Sequence, residues 1–491
     1  MRIPLLDGAE QAGGKGIAAK IGLAAGPLVF VLVVLSPVEG LSYEAKIVLG
    51  LALWMGSWWV TAAIPIYATA LVPIVVLPAA GAMPLADVVE PYADRIIFLF
   101  MGGLLLAKAV EKSGAHKRFA LGIVGLFGTK PKYIVAGFMV VTGVLSAWMS
   151  NTATAMVMVP IAAAVVALVA DERQRSRFGV CLILAVAYSA SLGGMATLVG
   201  TPPNAVFASL SKSLLAVDVS FVQWMAVGVP ASALSIFVAW LYMVHVGTRV
   251  DGVVIAGGRE LVRGMLAGLG RMTGQEKAAV ALFAAAALAW ITRGLVWGHL
   301  APGIDDAVIA IAAAMLAFVI TAKASGEPGQ KRKPLLDWEA ASKVPWGVLL
   351  LVGGGLSLAG AFSATGLDAW LAGNLAFLGG MHYLVVVLMI AGVTVIISEM
   401  ISNTATVALI IPVSASLAGA LGINPMLLMV PVAVASAYGF MMPVGTPPNA
   451  IAFASGYVTA PRMARVGVVL DIIGVVLVSV ISAILVPLVW K

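Results

Sequence analysis

The sequence predicts an all-α integral membrane protein, with about 11 transmembrane helices and two re-entrant hairpins arranged as two inverted repeats. Three observations carry that prediction. Hydrophobic residues make up 62% of the 491-residue chain and charged residues only 10%, with a mean hydropathy of +1.07. A water-soluble fold of that length needs far more polar surface. Apolar runs of near-membrane length recur along the chain, and two motifs each occur twice, in the same order.

The runs that cross, or nearly cross, a bilayer lie at 21–37, 45–64, 66–82, 95–111, 178–210, 222–246, 277–297, 304–322, 345–362, 426–457 and 464–489. Two further regions, 133–170 and 382–421, are apolar but interrupted by a central Ser-Asn-Thr. Each piece falls short of a comfortable span, so each region reads as a re-entrant hairpin ahead of the alternative, two short full crossings. Charge supports this for the first. With a cytoplasmic N-terminus and both hairpins re-entrant, 23 of the 29 lysines and arginines fall on the cytoplasmic side, as orientation in a bilayer requires. A single crossing of 133–170 would place neighbouring basic blocks on opposite faces.

The same distribution argues against nucleic acid as the reason for the net charge of +7, because the positive residues sit in short blocks between apolar runs. The one cysteine, Cys181, lies in an apolar run and reads as a packing residue. About 20 polar or small residues precede the first run, and no cleavable signal is expected. Two linkers are polar: 247–276, with an amphipathic stretch suited to the membrane surface, and 323–343, a hydrophilic loop.

Duplication is the strongest signal. SNTAT occurs at Ser150–Thr154 and at Ser402–Thr406, an offset of 252 residues. The same offset relates Gly102-Gly103-Leu104 to Gly354-Gly355-Leu356, and Pro160 to Pro412. GTPPNA occurs at Gly200–Ala205 and Gly445–Ala450, where the offset is 245. Five predicted crossings separate the two SNTAT copies. An odd count inserts the second hairpin from the opposite face, and inverted repeats are typical of secondary transporters.

The residue types at these motifs suit ions without using charge. Ser, Asn and Thr inside an apolar stretch need partners, and they are favoured helix N-caps. At a hairpin tip they leave helix amides, and the positive end of the helix dipole, directed at one spot; an anion can bind there. Consecutive prolines after Gly200 and Gly445 remove donors and unwind the helix, freeing carbonyl oxygens for a hard cation. Residues 133–170, 178–211 and 383–461 hold one acidic residue, Glu399, which reads as a structural carboxylate bonded to nearby backbone amides ahead of the alternative, a proton-coupling group. The four histidines lack metal-ligand spacing, and the spans lack a Ser/His or paired-Asp constellation for proteolysis. No enzyme and no organic cofactor are expected. Trp54, Trp58 and Trp59 read as packing or interfacial anchors.

Paired SNT hairpins followed by paired (S/T)PPN breaks resemble the divalent anion/sodium symporter family, over nearly the whole chain from about residue 20. The resemblance implies sodium-coupled symport of C4-dicarboxylates across a bacterial cytoplasmic membrane. The same family implies alternatives: sodium-independent exchange, or citrate or sulfate as cargo. A proton-driven anion or metalloid exporter and an anion channel are further readings. It also implies a homodimer in lipid working by an elevator mechanism. Residues 1–20 would be a cytoplasmic N-terminus; 21–132 and 277–381 scaffold, with the first repeat starting near 45; 133–246 and 382–491 the two transport halves, joined through the surface linker 247–276. Carried over by motif, substrate would meet Ser150, Asn151, Thr152, Thr201 and Pro202, with Ser402, Asn403, Thr404, Thr446 and Pro447. One sodium ion would sit by Ser146, Ser150, Asn151 and Gly200, another by Ser398, Ser402, Asn403 and Gly445. Thr201 and Ser398 stand where other members carry Ser and Thr, and Ala437 where Ser is usual.

Overall fold

A computed structural model describes residues 17–490 except 126–129, 251–252, 254, 256–257, 294–295, 297–299, 302, 324–330 and 376–380. Most of the expected N-terminal segment, and parts of both polar linkers, therefore lie outside the described residues. Among the described residues the architecture is helical apart from one short antiparallel pair, Thr321–Ala322 with Lys333–Pro334. Helices are labelled α1 (Ile17–Leu35), α2 (Tyr43–Thr61), α3 (Arg95–Ser113), α4 (Ala115–Val124), α5 (Pro131–Ser146), α6 (Asn151–Val166), α7 (Glu172–Gly194), α8 (Pro202–Leu215) and α9 (Phe221–Tyr242). The amphipathic α10 (Gly258–Gly268) follows, then α11 (Gly274–Thr292), α12 (Asp306–Val319), α13 (Gly347–Ala364), α14 (Tyr383–Met400), α15 (Asn403–Leu421), α16 (Met426–Ala435), α17 (Pro447–Ala454) and α18 (Ala460–Val489).

Local chemistry starts these helices. Ser42, Asp94 and Asp305 cap α2, α3 and α12 with their side-chain oxygens, and Ser220 with Gln223 and Thr273 with Glu276 form capping boxes at α9 and α11. Gly114, at φ +83°, ends α3. Among the described residues seven helices are long and apolar enough to cross a membrane. The protein is thus a multi-pass membrane protein, with many large apolar side chains facing outward, such as Leu32, Ile396 and Ile472.

Two expectations need correction. Residues 66–82 do not form one spanning helix: Ile66–Thr69 and Val72–Ala79 are separate short helices, and Pro73, in the first turn of the second, withholds the amide that would continue the first. The second hairpin is not built from short pieces either. Its arms α14 and α15 have 18 and 19 residues, whereas α5 and α6 have 16 each. At 1.5 Å per residue that is roughly 28 Å against 24 Å.

The long apolar runs at 178–210 and 426–457 are interrupted, between α7 and α8 and between α16 and α17. Each hairpin packs on its own broken helix, α5 and α6 on α7, α14 and α15 on α16. The halves then cross: α8 lies on α15, α17 lies on α6, and the equivalent helices α9 and α18 pack on each other. The repeated glycine pairs permit the close approaches. A Cβ on Gly102 would lie 2.5 Å from the Ala310 backbone and one on Gly354 2.3 Å from the Ala70 carbonyl oxygen. Gly103 meets Val199 in the first break, and Gly355 meets Ala408 on α15. Cys181 is fully buried in α7.

Candidate functional site: two oxygen-lined cradles

In the first half, Ser150 caps α6, its backbone extended (φ −61°, ψ 141°) and its hydroxyl accepting from the Ala153 amide at 3.2 Å. Ser146, fully buried in the last turn of α5, puts its Oγ 2.7 Å from Asn151 Oδ1 and 2.6 Å from the Ala190 carbonyl oxygen of α7. A hydroxyl has one proton and can serve only one of these acceptors. Three oxygens therefore converge with a single hydrogen among them, an arrangement rich in lone pairs and suited to a hard cation.

The break closes against this tip. The Thr197 hydroxyl donates to the Ala147 carbonyl. Gly200 lies between the Gly194 and Ala147 carbonyls, so close that a Cβ there would stand 2.3 Å and 2.9 Å from their oxygens. Gly194 leaves no more room, with Asn151 Oδ1 2.5 Å from where its Cβ would be. With Oδ1 engaged by Ser146, Asn151 keeps two amide N–H donors for another acceptor.

The second half repeats the core of the arrangement. Ser398 Oγ lies 2.9 Å from Asn403 Oδ1 and 2.8 Å from the Ser436 carbonyl oxygen. Ser402 occupies the N-cap position of α15 (φ −56°, ψ 134°) without a side-chain cap bond. Thr152 and Thr404 fall in the first turns of α6 and α15, Thr152 half-buried and Thr404 buried.

Both TPPN segments restart a helix. Thr201 and Thr446 are extended N-caps (φ −148° and −140°), and Pro202 and Pro447 take the first helical position, where a missing amide costs nothing. The asparagine of each motif then does what the sequence reading missed. Asn204 Nδ2 donates to the Gly194 and Thr197 carbonyls at 3.0 and 2.7 Å; Asn449 Nδ2 donates to the Gly439 and Met442 carbonyls at 2.7 and 3.0 Å. Each side chain is fully buried and fastens the end of one half-helix to the start of the next. The signal was present, since Asn recurs at the same place in both copies. The Ala190 and Ser436 carbonyls, acceptors for Ser146 and Ser398, carried no signal at all, because a carbonyl belongs to every residue.

Glu399 follows Ser398 and is buried (3% exposed). Its two carboxylate oxygens accept from the Met441 and Met442 amides at 2.7 and 3.0 Å, the structural role read from the sequence. A Cβ on Gly445 would lie 3.1 Å from Glu399 Oε2. The predicted residues thus gather in two groups. Ser146, Ser150, Asn151 and Gly200 stand around the first tip, and Ser398, Ser402, Asn403 and Gly445 around the second. α17 packs on α6 and α8 on α15, so the restarted helix of each half lies against the hairpin of the other.

A fold made of two such halves, each with a helical hairpin closing on a broken helix, defines a membrane transporter. Residues 19–490 match the sodium:sulfate symporter transmembrane region, and the chain belongs to that family. It is 39% identical to the sodium-dependent dicarboxylate transporter SdcS of Staphylococcus saprophyticus over 95% of this chain and 91% of that one. Its identity to the transporter of the same name from Staphylococcus aureus strain USA300 is also 39%, over 96% and 91%. The crystal structure of the Alcanivorax borkumensis YdaH transporter shares the fold, with a TM-score of 0.58 over 91% of this chain and 99% of that one at 16% identity.

Proposed function

We propose that this transporter is a sodium-coupled symporter of C4-dicarboxylates such as succinate, malate and fumarate, working in a bacterial cytoplasmic membrane. One observation carries the reading. Each half sets a serine hydroxyl between an asparagine oxygen and a backbone carbonyl, with too few hydrogens for the lone pairs present. Sodium coordinates such oxygens. With Na+ at Ser146, Ser150, Asn151 and Gly200, and again at Ser398, Ser402, Asn403 and Gly445, the Asn151 and Asn403 amide groups are free to meet carboxylates. Ser150, Thr152, Thr201 and Pro202, with Ser402, Thr404, Thr446 and Pro447, complete the substrate's surroundings. The names of the staphylococcal relatives support both the cation and the cargo.

The symport cycle needs the loaded site to reach each face in turn. In this reading 133–246 and 382–491 travel together as the transport part of an elevator. Residues 21–132 and 277–381 stay as scaffold of a homodimer with about 11 spanning helices. The decisive experiment is uptake of labelled succinate into proteoliposomes with and without an inward sodium gradient. Accumulation that requires the gradient is expected. Flux that requires internal dicarboxylate and ignores sodium would replace symport with exchange, and competition by excess sulfate or citrate would reassign the cargo.

A further inference from the structure

A cluster of charged and aromatic side chains, remote from the ions' oxygens, joins the start of α3 to the connection between α8 and α9. Ser209, buried on α8, donates to Asp94 Oδ1 at 3.0 Å. Arg95 pairs with Asp218 of the α8–α9 connection and stands 3.7 Å from Asp305 at the start of α12. Asp306 Oδ2 accepts from the amide of Phe221, the first residue of α9, at 3.1 Å and from Arg293 at 2.9 Å. Its backbone carbonyl accepts from Trp290 Nε1 at 3.0 Å. The Phe221 ring is stacked on the Trp290 ring, centroids 4.8 Å apart. Trp148, two residues before Ser150, stacks on Phe221 at 5.8 Å and meets Phe283 edge-on at 5.0 Å.

Every one of these contacts except those within the start of α12 and α11 joins a residue of 133–246 to one of 21–132 or 277–381. Trp148, Ser209, Asp218 and Phe221 stand on one side; Asp94, Arg95, Phe283, Trp290 and Asp306 stand on the other. Phe221 and Trp290 are fully buried, so the ring stack and the amide–carboxylate bond are shielded from water, where such contacts are strongest. Asp218 is half-exposed, which makes its pair with Arg95 the weaker contact. Val219 is buried although its neighbour Asp218 is open to solvent, and it lines a small cavity with Arg95, Asp305 and Ala307. The second half does not repeat the cluster. At the offset of 252, Trp346 and Gly347 replace Asp94 and Arg95, and the Gly347 backbone is packed on the Tyr67 ring. Residues 455–459, between α17 and α18, carry no charge, and α18 begins with Ala460 where α9 begins with Phe221.

We propose that this cluster is a one-sided latch, holding the transport part against the scaffold in the position seen here. The proposal rests on the elevator reading and adds a bias to it. A transport part that shifts along the scaffold must break the ring stack, the Asp306–Phe221 bond and both contacts at the start of α3 together. Inverted repeats would offer a matching set of contacts after the shift only if the second half carried the same residues. It does not, so the position seen here is favoured over its opposite by whatever the latch contributes. Asp218 and Phe221 belong to neither cradle; they set how often the parts separate.

Val219→Cys reports the separation, because scaffold residues line its surroundings and the native Cys181 is fully buried. The reading is the initial rate at which a water-soluble maleimide labels the full-length protein in lipid nanodiscs. On this background Asp218→Asn should raise the rate about twofold and Phe221→Leu about fivefold. A disulfide between Asp94→Cys and Ser209→Cys, placed at the 3.0 Å contact, should cancel both increases and stop succinate uptake in proteoliposomes. Unchanged labelling in both folded variants would overturn the latch, and so would an increase that survives the disulfide, since that reports loosening of the connection alone. Uptake that continues with the disulfide closed would overturn the elevator reading and the latch with it. Labelling requires no cargo, so its outcome stands whichever solute is carried.

Discussion

The two halves share a sequence motif but not an electrostatic environment. In the first, the hairpin tip is held by neutral groups: Ser150 caps α6 and the Thr197 hydroxyl bonds the Ala147 carbonyl. In the second, Ser402 makes no cap bond and a carboxylate holds the break through two amides. Thr446 Oγ1 caps α17, accepting from the Asn449 amide at 3.3 Å, while Thr201 makes no such bond. Packing differs as well. Gly194 is pressed against Asn151, but its equivalent Gly439 has ordinary clearance, with the Ser398 carbonyl oxygen 3.4 Å from a Cβ position. Internal duplication therefore preserved the converging serine, asparagine and carbonyl oxygens and let the supports behind them diverge.

The largest effect tests what the halves share. Asn151→Ala and Asn403→Ala should each lower succinate uptake by about two orders of magnitude or more while the proteins still elute as folded species in size-exclusion chromatography. Wild-type rates in both would remove the common site. The next substitution separates the halves. Gly194→Ala forces a methyl group into Asn151, an overpacking cost of about 1–3 kcal/mol, and should cut uptake about tenfold or more; Gly439→Ala should stay within about twofold. Equal losses would mean that the tight packing of the first tip is irrelevant.

A smaller effect concerns support behind the second cradle. Glu399→Ala orphans the Met441 and Met442 amides, each worth about 1–3 kcal/mol when left unsatisfied. It should lower the thermal unfolding temperature and raise the sodium concentration for half-maximal uptake. An unchanged sodium curve would show that the carboxylate does not serve the cradle. The smallest effect lies outside both cradles and serves as a control. Burial opposes ionisation of Glu276, but the Thr273 backbone amide and the Arg118 guanidinium, 3.1 Å away, outweigh it and hold the carboxyl below the usual range. A depressed carboxylate stabilises the fold above its unfolded pKa, and that stabilisation is lost as pH falls through the folded value. Glu276→Gln should therefore unfold earlier than wild type at neutral pH, with the gap closing in acid and uptake kinetics unaltered. A gap independent of pH would exclude the ion pair as its cause.

Much of the site was legible before any coordinates. SNTAT and GTPPNA were conspicuous because polar residues and paired prolines are costly in apolar runs, so their repetition marked both tips and both breaks. Glu399 was legible for the same reason: a lone carboxylate in an apolar stretch must find donors, and backbone amides of a broken helix provide them. The extent of single helices was less legible. Residues 66–82 have the hydropathy of a span, yet Pro73 marks a break that divides them; the arms of the second hairpin outgrow the first because polar interruption says where a helix stops, not how far it runs beyond.

The amino-acid sequence alone determined the membrane environment, the duplication, and the polar side chains that mark both hairpin tips. Those follow from hydropathy, spacing and the chemistry of each residue. Only the tertiary structure decided that the Ala190 and Ser436 carbonyls complete the two cradles and that Asn204 and Asn449 fasten the breaks. Backbone carbonyls leave no mark in a sequence, and which of them Asn204 and Asn449 reach depends on how each broken helix folds back on itself.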